Sequence, residues 1–78
     1  MFEEIANIHT WDVVVVRRRL EHLARAIQAE EDRLEYADPF AERDSVLRCL
    51  HRLGDLIQQR HYVELELLRR RYAEVPRV

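Results

Sequence analysis

Lysine is absent from this chain: all thirteen basic residues are arginine. Ser45 and Thr10 are the single serine and threonine, Gly54 the single glycine and Cys49 the single cysteine, and proline occurs twice. Each scarcity excludes something. One cysteine forbids an internal disulfide and points to a reducing compartment. One glycine and two prolines leave no linker, no Gly-rich phosphate loop and little punctuation of regular structure. The longest uninterrupted apolar run is Val13–Val16, far short of the roughly 20 residues that span a bilayer. The opening Met1-Phe2-Glu3-Glu4 is acidic where a secretory leader is basic. The expectation is a cytoplasmic protein with no membrane association. Arginine in place of every lysine, with serine and threonine so rare, reads as codon bias in a GC-rich genome and suggests a bacterial or phage origin. Selection for bidentate arginine contacts is the physical alternative.

What is present is charge and apolar periodicity. The chain has 78 residues, 36% of them charged and 47% hydrophobic, with a net charge of −2. That is too hydrophobic for a disordered tail, and it lacks the basic excess of a nucleic-acid coat. A domain of this size buries only about 60% of its unfolded surface and is marginal alone, so small helical chains often gain stability by oligomerising. The charge is segregated. Glu30, Glu31, Asp32, Glu35, Asp38, Glu42 and Asp44 cluster against Arg33 and Arg43, whereas Arg17–Arg19 and Arg69–Arg71 form two basic runs.

The periodicity predicts an all-α fold: an antiparallel two-helix hairpin carrying a short N-terminal helix or arm. Val13, Val16, Leu20, Leu23, Ile27 and Leu34 follow a heptad-like seam, with Glu30 its one polar intruder. A first helix is predicted over 11–37, capped at Thr10 with Asp12 in its first turn. The four valines leave a short strand at 12–16 as an alternative. Asp38-Pro39 combines a good N-cap with a good first helical residue, and the chain before a proline is driven out of the α region. The first helix should therefore stop there and a second run over 39–74 until Pro76; Asp44-Ser45 offers a later start. With a connection that tight, residues whose numbers sum to about 76 face each other: Leu23 with Leu53, Val15 with His61, Ile27 with Cys49 and Leu50. The second helix overshoots the first, and residues 1–9, with Phe2, Ile5 and Ile8 at helical spacing, should pack against its tail.

The second helix carries more apolar surface than one neighbour can cover. Leu50, Gly54, Ile57, His61, Leu65, Leu68, Tyr72 and Val75 make one stripe; Cys49, Leu53, Leu56, Val63 and Leu67 make another. Together they occupy roughly 220° of the helix, about twice what one antiparallel neighbour buries. Soluble monomers avoid such patches, so the sequence predicts a homodimer closing into a twofold four-helix bundle. Leu53, Leu56, Val63 and Leu67 are the residues expected to carry self-association. Gly54 is placed for close approach of another helix, since a mid-helix glycine costs about 1 kcal/mol relative to alanine, and His61 is placed within the same interface.

No side-chain set points to chemistry. His61 between Ile57 and Leu65 reads as an interface histidine, or as a pH-sensitive one. His22, His51 and Asp55 come to one level of the hairpin but lack any compact metal-ligand motif. Cys49 lacks a base beside it and reads as a small buried residue. Glu30, in a core-type position, should pair with Arg43 or Arg48 or reach for water. The acidic cluster has neither cavity nor partner to perturb it. No catalytic, cofactor-binding or metal-ligating residue is therefore assigned. The expected function is a protein-interaction module, a small regulator, adaptor or inhibitor docking on a larger protein. Its tip residues Glu31, Asp32 and Glu35, or its arginines Arg17, Arg18, Arg69, Arg70 and Arg71, would meet that target. Nucleic-acid binding through the arginine runs is the alternative, with Trp11, Tyr36, Tyr62 and Tyr72 as stacking candidates. A structural subunit of a larger assembly is the third reading.

Overall fold

A computed structural model describes residues 2–73, with the side chain of Phe2 left aside. Val75 and Pro76, predicted to extend and end the second helix, lie outside the described residues. Two short 3₁₀ turns, Phe2–Ile5 and Ile8–Thr10, lead into helix α1, Val13–Tyr36, and helix α2, Arg43–Ala73. Among the described residues no strand forms. The two helices pack side by side in a hairpin 58 Å long and 23 by 18 Å across. Its radius of gyration, 16.1 Å, exceeds the roughly 11.5 Å of a compact globule of this length.

The start of α1 differs from expectation. Asp12, not Thr10, caps it: the Asp12 carboxylate accepts the Val14 N–H at 3.1 Å, and its carbonyl accepts Val16 N–H at 3.1 Å, satisfying donors that a helix start leaves orphaned. Thr10 instead closes the second 3₁₀ turn, its hydroxyl donating to Asn7 O at 2.7 Å. Val13–Val16 open the helix despite their strand propensity. Val16 alone of the four is buried, and its packing outweighs the local preference.

The connection also differs. α1 stops at Tyr36, and Ala37 turns extended (φ −79°, ψ 142°) ahead of Asp38-Pro39. Asp38 does cap, but an isolated turn rather than the second helix, its carboxylate accepting Phe40 N–H at 2.9 Å and Ala41 N–H at 3.3 Å. Glu42 reaches back to accept Asp38 N–H at 3.0 Å, a reciprocal capping box. This box closes a single turn that does not run on into α2. The first bond of α2 is Val46 N–H to Glu42 O, 2.9 Å, and its first residue is Arg43 rather than Pro39. The extra turn lengthens the connection and shifts the register. Glu30, which the tighter turn would set against Val46, meets Cys49 and Arg52 instead.

The apolar core lies toward the open end. Ile5, Ile8, Val16, Leu23 and Val63 form one buried cluster, with Trp11, Leu20, Leu56 and Leu67 packed against it. The predicted role of the N-terminal arm holds: Ile5 and Ile8 are buried beside α2. No residue from Glu31 to Arg48 is buried, and Phe40 at the tip is 95% exposed. The hairpin is thus best packed where its strands of chain are farthest apart in sequence.

Candidate interaction surface

The inner face of α2 is used within the chain. Val63 is buried, Leu56 and Leu67 pack on the core, and Leu53 is half-buried. Four residues expected at a self-association seam therefore lie on the intramolecular side of α2. Gly54 and His61, expected in that same interface, lie on the opposite, exposed side. The sequence placed two seams on α2 but not which one α1 would take.

Two buried carboxylates fix the inner face. Glu30 accepts hydrogen bonds from the Cys49 thiol (2.8 Å), from Arg52 Nε (3.2 Å) and Nη2 (3.4 Å), and from Arg33 Nη1 (3.5 Å). The partners expected for it, Arg43 and Arg48, lie too near the tip once the register has shifted. The thiol and then Arg52 hold the Glu30 carboxyl below the ordinary carboxylate range. The same hydrogen bond, with burial, pushes the Cys49 thiol up, which keeps it protonated and opposes any nucleophilic role. Glu66 is the second carboxylate. Arg69 grips it in a fork, Nη2 to Oε1 at 2.7 Å and Nε to Oε2 at 3.0 Å, and Arg70 Nε adds a bond at 2.9 Å. The Arg69 hydrogen bonds, ahead of those from Arg70, lower its pKa to about 2.

Arg70 also donates to the carbonyls of Ile8 (2.9 Å) and Trp11 (2.6 Å), fastening the N-terminal arm to α2. Arg19 lies 5.5 Å over the Trp11 ring and 3.5 Å from Glu4, a cation–π contact that takes one aromatic candidate away from base stacking. The arginine runs are thus partly structural: Arg19, Arg69 and Arg70 hold the fold. Arg17, Arg18 and Arg71 are exposed and form no ion pair among the described residues. Arg17 and Arg71 flank an open groove of about 590 Å³ floored by Val13, Leu67 and Leu68. Glu66 and the Arg70 clamp were missed from sequence, although a Glu with arginines three and four residues on is a readable helix pairing.

At the tip, Glu31, Asp32 and Glu35 are exposed, and Gln28 donates to Asp32 at 3.0 Å. His22 and His51 are exposed and Asp55 half-buried. Among the described residues no three His, Cys, Asp or Glu side chains gather closely enough to hold a metal ion, and no helix is long and apolar enough to cross a membrane.

The outer face of α2 carries the open apolar surface. Leu50, Leu65 and Leu68 each expose close to half their area (48%, 49% and 46%), and Tyr72 exposes 74%. Ile57, His61, Tyr62 and Leu65 line a shallow depression on this face. A Cβ built on Gly54 would meet nothing within 4 Å. The molecule is in class a helical hairpin, its inner face carrying two buried carboxylates and its outer face apolar and exposed. No protein-family model, curated protein or solved structure matches the chain.

Proposed function

We propose that this chain is a protein-interaction module, a small regulator, adaptor or inhibitor without catalytic chemistry, whose working surface is the outer face of α2. One observation carries the reading. A run of large apolar side chains from Leu50 to Tyr72 stays exposed although the same helix packs its other face against α1 and the N-terminal arm. Isolated apolar side chains on a surface need no explanation, but a contiguous stripe on one helix face marks an interface. The stripe fits the apolar face of another helix, read through positions three and four residues apart. The free thiol of Cys49 suits a reducing compartment, consistent with a cytoplasmic site of action. Nucleic-acid binding loses support because half of the six arginines in the two runs have partners within the chain.

A photo-crosslinking residue placed at Leu65, with Arg25 on the exposed side of α1 as control, tests the reading in cells. Discrete protein adducts from the Leu65 position alone support it. Equal yields from both positions, or no protein adduct from Leu65, overturn it.

A further inference from the structure

The outer stripe of α2 is symmetric about one residue. His61 has Ile57 and Leu65 four residues to either side, Gly54 and Leu68 seven to either side, and Leu50 and Tyr72 eleven to either side. The spacing is thus two repeats of eleven residues, about 3.67 residues per turn, which runs nearly straight along a helix. A stripe whose spacing is the same in both directions matches a copy of itself laid antiparallel. We infer that the occupant of this face is a second copy of the chain, packed with α2 against α2 about a twofold axis at His61. The inference rests on reading the outer face of α2 as an interaction surface, and names what it binds.

The juxtapositions are specific. Ile57 meets the partner's Leu65, Leu50 meets the partner's Tyr72, and Gly54 lies under the partner's Leu68. Gly54 has open space where a Cβ would stand, so within one chain nothing calls for glycine there. Under the partner's Leu68 its missing side chain lets the helices approach.

Charge agrees with the same orientation. A twofold axis in the interface plane sets like flanks of the two helices side by side. Arg60 and Glu64 pair along one flank, Nε to Oε1 at 3.4 Å, and they bracket the axis. In the dimer the two pairs run antiparallel, so each Arg60 comes near the partner's Glu64 and the four charges alternate. At longer range, the exposed Arg71 of one copy falls on the half of the dimer that holds the acidic tip of the other copy, with its Glu31, Asp32 and Glu35. A parallel pair would set arginines beside arginines and acids beside acids. Such isologous matching is the usual route to twofold dimers.

The experiment combines mass with crosslinking on the full chain. Light scattering over a dilution series should give about 19 kDa, twice 9.5 kDa, falling to the monomer on dilution. Ile57→Glu and Leu65→Glu, both exposed in the single chain, should keep the helical circular dichroism signal and raise the dissociation constant by more than about 100-fold. A His61→Cys variant should form a disulfide dimer under mild oxidation. Leu50→Cys should not, because antiparallel packing sets it about 33 Å from its own copy, whereas a mixture of Leu50→Cys and Tyr72→Cys chains should crosslink. Homodimers from both His61→Cys and Leu50→Cys would mean parallel packing and overturn the inference. So would a 19 kDa particle in which neither crosslinks. A mass of 9.5 kDa at every concentration overturns the second copy as occupant. Protein adducts of other mass from the Leu65 position would then leave the interaction surface standing.

Discussion

Cys49 on α2 donates its thiol proton to Glu30 on α1 across 2.8 Å, joining the helices at the last buried level before the tip. The acceptor is a carboxylate also held by Arg52, so deprotonating the thiol would set two anions in contact. Native Cys49 should therefore react slowly with Ellman's reagent at pH 8 and rapidly once the chain is unfolded in urea. Fast labelling of the native state would show that the pair is open. Cys49→Ser, which keeps a donor, should hold stability better than Cys49→Val, which leaves the buried carboxylate one hydrogen bond short.

Glu66 gives the acid limb of stability. Its pKa is about 2 when folded, against an ordinary 4.5, so below that ordinary value the unfolded chain binds the proton that the folded chain refuses. The contribution is complete above about pH 5 and drains away as pH falls toward 2. Glu30, also lowered, acts in the same direction. Urea midpoints measured from pH 7 to 2 should fall steeply between pH 4.5 and 2. A Glu66→Gln variant should be weaker at pH 7 and shallower over that interval. An unchanged slope would remove Glu66 as the source.

Arg70 serves Glu66 and the arm together. Arg70→Ala strips one cation from a buried carboxylate and leaves the Ile8 and Trp11 carbonyls without this donor. The expected cost is about 2 to 4 kcal/mol. Arg70→Lys should recover only part of it, because an ammonium lacks the planar fork that spans both acceptors. Hydrogen exchange should localise the change to residues 2–11 and the last turns of α2. Uniform acceleration along both helices would instead mean that the clamp is global.

Gly54 separates the single chain from the proposed dimer. Alanine fits the open space around Gly54 and is the better helix former, so Gly54→Ala should stabilise the dilute monomer by about 0.5 to 1 kcal/mol. Gly54→Leu should leave the monomer folded yet shift the dilution midpoint to higher concentration. A leucine variant that dimerises as well as the parent would show that no helix approaches closely at Gly54.

Much of the fold was legible in one sequence because it rests on local signals. The apolar spacing of Val16, Leu23 and Ile27 marked the buried side of α1, Asp38-Pro39 marked its end, and Ile5 with Ile8 marked an arm for the tail of α2. What escaped depended on two or three side chains acting jointly. Thr10 and Asp12 are both competent caps, and the 3₁₀ turn ending at Thr10 decided between them. The return of Glu42 to Asp38 added a turn, and that turn moved the partner of Glu30 from Arg43 or Arg48 to Arg52. The candidate surface was legible as surplus apolar area on α2. Which stripe faced inward was not, because both have helical period, and only the register with α1 separates them.

The burial of the core at the open end has a kinetic consequence. A hairpin whose first contacts flank its turn zips from the turn outward, closing small loops at little entropic cost. Here no residue from 31 to 48 is fully buried, and the buried cluster joins Val16 to Val63 and the arm residues Ile5 and Ile8 to the far end of α2. The chain's largest buried cluster forms only when Val16 and the arm reach Val63, although Ile27, Glu30 and Cys49 are buried nearer the turn. Its folding should be slower than that of a helical hairpin packed at its turn, and shortening the tip connection should accelerate it little. Val63→Ala should slow refolding more than Val46→Ala, as the chain closes at its ends and its turn is the last part to gain from closure.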